Sequence, residues 1–520
     1  MYNRISNREV EAKVTTAAAA AQLIKDGMTV GMSGFSMAGY PKAVPTALAR
    51  RDEKGEQLKI TLITGASVGD EIDGQLARAG VISRRYPYQS NASMRELINE
   101  NQIAYVDMHL SQVPFFIKNG YFGKIDVAVI EAIGIDEQGN IIPSTSIGCS
   151  NTLVEYAEKV IVEVNMWQPV KLEGIHDVYS PGRIKQTEMI PVVLPNNRVG
   201  MPYIRCTPEK IAAVVITEIP DGTASLAKTD ANSQKMADFL IKFIEDEVKA
   251  GRLPHDLPPI QSGVGNVANA VLGGFQKSNF RNLTVYSEVL QDAVLDLIET
   301  ERVAFASGTA LTLSPERIDE FYKSLDMFKH KLFLRPVEIS CSPEVVRRLG
   351  LIAINTAIEV DLAGNVNSTH IGGDRIMNGI GGSGDFARNA ALPVFTTPST
   401  AKGGTISCIV PHVSHVDHTE HDAHVIITEY GLADLRCKTA YERAELLIEN
   451  CAHPKFRPVL REFVARQYAK KGHRHGFAPE DLILWQQAVD EVNAAEAAKG
   501  QTPENKPSPK KATKTRKRKA

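Results

Sequence analysis

Cysteine is scarce in this chain and shows no pairing pattern: Cys149, Cys206, Cys341, Cys408, Cys437 and Cys451 are scattered through 520 residues without a CxxC. Such spacing argues against a disulfide framework or a zinc ribbon and suits a reducing compartment. Long apolar runs are also missing, so no stretch is suited to spanning a bilayer. Met1 to Lys13 is polar, and the alanine run Ala17–Ala21 lacks a cleavage-site pattern after it. These absences predict a cytoplasmic protein without a membrane partner. A charge excess of one sign is absent overall, at −2, but the balance is uneven. Setting aside the eight Lys/Arg from Lys506 onward leaves 51 basic residues against 61 acidic ones, a body near −10. An acidic body with one short basic tail predicts no specific nucleic-acid recognition. The tail itself, 501–520, is Pro/Lys/Thr-rich and is expected to be disordered.

What the chain does contain is repeated α/β alternation. Its 520 residues exceed one ordinary core, and 43% hydrophobic with 23% charged residues fits a globular protein. Apolar strands are predicted at 29–34, 59–65, 127–130, 160–164 and 212–217, with a helix over 41–50. Continuous apolar strands separated by helices imply mostly parallel sheets covered on both faces. The polar stretch 221–230 reads as a boundary, after which an amphipathic helix carries Met236, Leu240, Ile241, Phe243, Ile244 and Val248 on one side. Alternation then resumes, with strands predicted ending at Gln261 and over 283–288, 332–339, 351–360 and 425–428. A terminal helix is expected around Trp485 to Ala498. The expectation is two tandem α/β domains of similar plan, 1–222 and 223–500, followed by the tail 501–520.

Several residues stand out chemically. Ser262-Gly263-Val264-Gly265-Asn266 is a glycine-rich strand-to-helix turn, which exposes backbone N–H groups. Glu288 ends the next predicted strand, where parallel sheets deliver ligand-facing residues; it is either a nucleophile beside an oxyanion site or a solvated glutamate. A second cluster, Asn378-Gly379-Ile380-Gly381-Gly382-Ser383-Gly384-Asp385, is a ligand loop or a tight turn. Lys402, among small residues, is a phosphate-holding cation or an ordinary surface lysine. Glu429 ends another apolar strand as a catalytic partner, an orienter of Glu288, or a capping acid. Histidines at 412, 415, 418, 421 and 424 recur every third residue. On a helix that step cannot stack five rings on one face, so the run reads as a polar connection and no metal is expected.

Taken together, these motifs resemble the acetyl-CoA hydrolase/transferase family, most closely its succinyl-CoA:acetate CoA-transferase branch. The resemblance spans nearly all of 1–500. It rests on Gly31-Met32-Ser33-Gly34-Phe35, on 262–270, on Tyr286-Ser287-Glu288-Val289-Leu290-Gln291-Asp292, on 378–385, on 414–422 and on 428–436. It implies that Glu288 is the catalytic nucleophile, that the amides of Val264 and Gly382 form the oxyanion hole, and that Glu429 is an active-site acid. It further implies CoA contacts at Ser262, Gly263, Val264, Gly265, Asn266, Ile358, Asn378, Gly382 and Lys402, with no cofactor beyond CoA or acyl-CoA as substrate. The implied partners are CoA thioesters and small carboxylates, and the implied assembly is a homodimer. The activity implied is CoA transfer through a glutamyl-CoA thioester, with short-chain acyl-CoA hydrolysis as the alternative. Three positions depart from the pattern: Cys341 stands where an active-site Asn is expected, Gly222 where acetate-directed members carry Arg, and Cys437 where glycine follows Asp-Leu-Arg.

Overall fold

The computed structural model of the chain describes residues 3–51, 55–223, 230–263, 265–470 and 476–499; the tail 501–520 lies outside the described residues. Two eight-stranded sheets organise it. Read across, the first runs Val14–Thr15, Ile211–Thr217, Ala157–Asn165, Ile125–Ala132, Thr29–Met32, Ile60–Thr64, Ile82–Tyr86 and Ala104–Tyr105, with every neighbouring pair parallel. The second runs Leu332–Leu334, Val303–Gly308, Leu283–Tyr286, Ile260–Ser262, Ile352–Thr356, Leu392–Thr396, Val425–Thr428 and Gly431–Asp434. Only its last pair is antiparallel. In both sheets one strand, Thr29–Met32 or Ile260–Ser262, sits at the point where the order reverses. Of the strands in the same sheet, the next three in chain order lie to one side of it and the following three to the other. The two halves therefore share one plan, and each has a crevice at the carboxyl ends of its strands where a doubly wound sheet binds ligands.

Local chemistry explains the elements that frame the second crevice. Asp230 caps the helix Ala231–Lys249 by accepting from Ser233 N at 2.8 Å, and the helix buries Met236, Leu240 and Ile244. It lies across the helix Asn266–Lys277, where a Cβ on Gly274 would stand 3.1 Å from Ile241 Cγ1. Asn266–Lys277 is entered through Gly265, whose φ of 119° lies outside the range that side chains tolerate.

Some expected strands differ in extent. The strand begun at Leu332 stops at Leu334, because Pro336 has no N–H to offer a ladder and the helix Val337–Ser340 begins there. The 351–360 segment splits into Ile352–Thr356 and Glu359–Asp361, the latter in a separate three-stranded sheet. Ile82–Tyr86 escapes the apolar-run criterion because Ser83-Arg84-Arg85 interrupts it. Arg85 is nevertheless fully buried, donating to Asp73 at 2.8 Å, Thr64 Oγ1 at 3.0 Å and the Ser67 carbonyl at 2.7 Å.

The halves are joined through buried polar contacts. Leu311 N donates to the Thr145 carbonyl and Ile147 N to the Thr309 carbonyl, both at 2.9 Å. Two buried ion pairs, Lys118 with Glu338 and Arg335 with Asp177, cross the same boundary.

Candidate active site

Glu288 lies two residues beyond the strand Leu283–Tyr286, and its backbone is held from several directions. Its carbonyl accepts from Thr309 N at 2.7 Å and Ala310 N at 3.2 Å. The preceding Ser287 donates its hydroxyl to the Ser262 carbonyl at 3.0 Å, and Gln291 Nε2 reaches the Gly263 carbonyl at 2.9 Å. The glycine turn and the segment carrying the glutamate are therefore tied together by two side-chain bonds. Val264, whose amide the resemblance singles out, lies outside the described residues.

The Glu288 side chain points at the second glycine loop. A Cβ on Gly382 would stand only 1.5 Å from Glu288 Oε1, so any other residue at 382 would occupy the carboxylate's place. Cys341 Sγ lies 3.7 Å from the same oxygen, close enough for a weak thiol hydrogen bond. Burial raises the Glu288 carboxyl to about 7, and the nearby Asp385 charge adds to the rise, against bonds from Cys341 and the Gly382 N–H that favour the ionised form. Asp385 is raised to about 7 by burial as well, despite accepting from Ser111 N at 3.0 Å and Ser111 Oγ at 2.6 Å. The Cys341 thiol is pushed well up by burial and by Glu288, which keeps it a proton donor.

The glycine loop is pressed between the halves. Ile380 N donates to Asp107 at 2.9–3.0 Å, and the Asn378 carbonyl accepts from Gln89 Nε2 at 3.2 Å and Tyr105 OH at 3.1 Å. A Cβ on Gly384 would meet His109 Cε1 at 2.3 Å. The glycines thus serve packing against the first half as well as access to Glu288.

A cavity of about 220 Å³ opens over Glu288, walled by Ser262, Gly263, Asn378, 379–383, Asn355 and Thr356 from the second half. Phe35, Ser36, Ala66, Val68 and Tyr88 close it from the first. Ser36 (φ 54°) and Ala66 (φ 85°) hold left-handed backbone there, linked by Ser36 N to the Ala66 carbonyl at 2.9 Å. Strained residues at a cleft are a mark of function, one that apolar periodicity does not carry. Because the wall comes from loops following Thr29–Met32 and Ile260–Ser262, the cavity uses the switch points of both sheets.

Not all the expected residues meet in this cavity. Asn266 opens its helix, Ile358 is half-buried with its N–H given to the Asn367 carbonyl at 2.8 Å, and Lys402 is exposed at φ 45°. None of these three lines the cavity over Glu288. Glu429 is spent on Ser399, accepting from its N–H at 2.8 Å and its hydroxyl at 2.5 Å, which fixes the loop leading to Lys402. Of the histidine run, His418 alone reaches the glycine loop, 3.2 Å from Ser383 Oγ, and burial lowers it to about 4, so it is neutral. Gly222 sits against Met37 and Tyr40, where a Cβ would lie 2.9 Å from Met37 Cε.

Comparison with known proteins agrees with this architecture. The sequence profile of the acetyl-CoA hydrolase/transferase N-terminal domain matches residues 2–216, and that of the C-terminal domain matches 318–464. A succinyl-CoA:acetate CoA-transferase of Clostridium kluyveri is 50% identical, over 93% of this chain and 90% of that protein. A propanoyl-CoA:succinate CoA transferase of Escherichia coli is 42% identical, over 88% and 94%. An acetyl-CoA hydrolase of Schizosaccharomyces pombe is 42% identical, over 90% and 93%. Among solved structures, a 4-hydroxybutyrate CoA-transferase of Porphyromonas gingivalis shares the fold with TM-score 0.62 at 21% identity, over 88% of this chain and 98% of that one. With two family profiles and these relatives spanning most of its length, the chain belongs to the acetyl-CoA hydrolase/transferase family.

Proposed function

We propose that this protein moves CoA between a short-chain acyl-CoA, such as succinyl-CoA, and a small carboxylate, such as acetate, through a covalent glutamyl-CoA thioester on Glu288. The observation that carries the reading is the Glu288 carboxylate set against the Gly382 N–H in a cavity between two strand-end crevices. A cavity of about 220 Å³ suits a short acyl group and not a long chain.

The steps need only a carboxylate, an oxyanion site and a leaving thiolate. A Glu288 oxygen attacks the thioester carbonyl carbon; the C–S bond breaks and CoA leaves as thiolate, giving a mixed anhydride. The thiolate attacks the glutamyl carbonyl, the C–O bond to the first acyl group breaks, and that acid departs as a carboxylate. An incoming carboxylate attacks the glutamyl thioester and expels CoA thiolate, forming a second anhydride. Thiolate attack on the new acyl carbonyl then yields the product and frees Glu288. The amides of Gly382 and Val264 are assigned to the tetrahedral oxyanions, where one donor is worth about 2.7–4 kcal/mol. Asn266, Ile358 and Lys402 are assigned to the CoA body beyond the cavity, and Glu429 to holding the Lys402 loop. The reading includes a cytoplasmic homodimer, supported by the exposed apolar side chains of Ile184, Met189, Val193 and Leu194 in one loop.

The hydrolase reading is favoured by relatives named acetyl-CoA hydrolases. Acceptor dependence separates the two. Release of CoA from succinyl-CoA or acetyl-CoA should require an added carboxylate and follow ping-pong kinetics. Equal release in its absence supports hydrolysis.

A further inference from the structure

The Gly382 amide can serve an oxyanion only if its peptide plane is held, and the hold comes from the first half of the chain. Gly381, just before it, has φ 60° and no side chain, so the peptides on either side of it turn at little steric cost. Contacts from elsewhere must fix them. The Gly381 carbonyl accepts from Leu110 N at 3.3 Å. In a trans peptide the C=O and N–H point in opposite directions. This bond therefore turns the Gly382 N–H away from Leu110 and toward the Glu288 carboxylate that accepts it.

Two further contacts bracket that peptide. Two residues before Gly382, Ile380 N donates to both oxygens of Asp107, at 2.9 and 3.0 Å. Three residues after it, Asp385 accepts from Ser111 N at 3.0 Å and Ser111 Oγ at 2.6 Å. The segment 107–111, which follows the strand Ala104–Tyr105, thus grips the loop before, at and beyond the oxyanion donor. The fit is close: a Cβ on Gly379 would stand 2.5 Å from Tyr105 OH and 2.8 Å from Asp107 Oδ1. Leu110 acts through its backbone and Ser111 holds the helix beyond the donor, so Asp107 is the side chain that pins the peptide entering the Gly381 turn. A carboxylate accepting an N–H makes a charge-assisted bond, stronger than a neutral one. Asp107 does not line the Glu288 cavity; it lines a separate groove of about 1020 Å³ between the halves, and Ile380 borders both.

We propose that Asp107 is a positioning residue for the transfer reaction. Its carboxylate, together with the Leu110 amide, holds the 378–382 loop so that the Gly382 N–H faces the tetrahedral oxyanion, and the first half thereby completes the oxyanion site of the second. The proposal rests on the glutamyl reading above and assigns the loop's alignment to a residue that touches no reacting atom.

The test compares the full-length parent with Asp107→Asn, Asp107→Glu and Asp374→Asn, the last an exposed acid on the same groove. Asn keeps the shape of Asp but offers Ile380 N–H one neutral oxygen in place of two charged ones. An oxyanion donor acts in the transition state, so a tilted loop should lower kcat about 10–100-fold and leave KM for acyl-CoA within about twofold. The rate at which acyl-CoA modifies Glu288 should fall by the same factor, and hydrogen–deuterium exchange should quicken in peptides covering 376–386. Asp107→Glu keeps both acceptor oxygens and should recover most of the loss, and Asp374→Asn should behave as the parent. Thermal melting checks that the variants fold. Should Asp107→Asn fail to fold, Tyr105→Phe carries the test: it removes the hydroxyl that donates to the Asn378 carbonyl and should lower kcat about 3–10-fold at unchanged KM. A parent modified at Glu288 with Asp107→Asn and Tyr105→Phe equally active, or a loss confined to KM, overturns the positioning role and leaves the glutamyl reading standing. A parent that turns over acyl-CoA without modification at Glu288 overturns both.

Discussion

At the scale of single residues, Glu288 carries a conflict between stability and chemistry. Its pKa rises from 4.5 to about 7 on folding, so the folded state holds a proton that the unfolded chain releases at lower pH. Below pH 4.5 the site costs nothing; through the window from 4.5 to about 7 folding loses stability, and above 7 the loss is complete. At about 1.4 kcal/mol per pH unit this is on the order of 3 kcal/mol. Glu288→Gln is therefore expected to melt at a higher temperature than the parent at pH 8 and at the same temperature at pH 4.5, while losing transfer activity by about 10³-fold or more. Differential scanning fluorimetry across pH checks the first part. Cys341→Ala removes a bond that favours the ionised carboxylate. The acidic limb of the pH–rate profile should then move to higher pH, with the maximal rate nearly kept. A profile unchanged in Cys341→Ala would remove the thiol from the account.

At the scale of elements, two loops set the site. Gly382→Ala places a methyl group on the carboxylate, since the Cβ would stand 1.5 Å from Glu288 Oε1. The expected loss is at least that of an oxyanion donor, about 10²–10³ in turnover, with the fold retained by circular dichroism. Behind the opposite wall, Arg85 and Asp73 are both fully buried and hold the 64–67 turn beside Ala66. Asp73→Ala strands the guanidinium and should cost about 3–5 kcal/mol in urea unfolding. Sequence reasoning found the glycine turn, the strand before Glu288 and the long helix Ala231–Lys249, because each has a local signature: glycine, β-branched runs, a 3.6-residue apolar stripe. It did not find Ile82–Tyr86, because Arg85 breaks the apolar pattern and is rescued only by tertiary partners. Nor could it find Ser36 and Ala66, whose left-handed backbone is imposed by loops from neighbouring strands.

For the whole molecule, the repeated strand order places two crevices so that one cavity draws on both. The plan of two similar halves was legible in the alternation of strands and glycine turns. The meeting of Glu288 with Gly382, 94 residues apart, came from resemblance and not from spacing, as did the CoA contacts assigned to Asn266 and Ile358. The interface that joins the halves depends on pairs such as Arg335 with Asp177, where Arg335 also donates to Ser307 Oγ at 2.8 Å, one residue from the Gly308 strand end. Asp177→Ala is expected to destabilise the chain by about 3–5 kcal/mol and to lower activity by loosening the Glu288 backbone. Chemical denaturation and turnover measured on the same sample check both.

The most direct measurement of the central claim is to incubate the protein with succinyl-CoA or acetyl-CoA, treat it with borohydride or hydroxylamine, and map the modification by peptide mass spectrometry. Modification confined to Glu288, dependent on acyl-CoA and absent in Glu288→Gln, is the predicted result. An unmodified Glu288 in a protein that still turns over acyl-CoA, or activity retained by Glu288→Ala, would contradict the account.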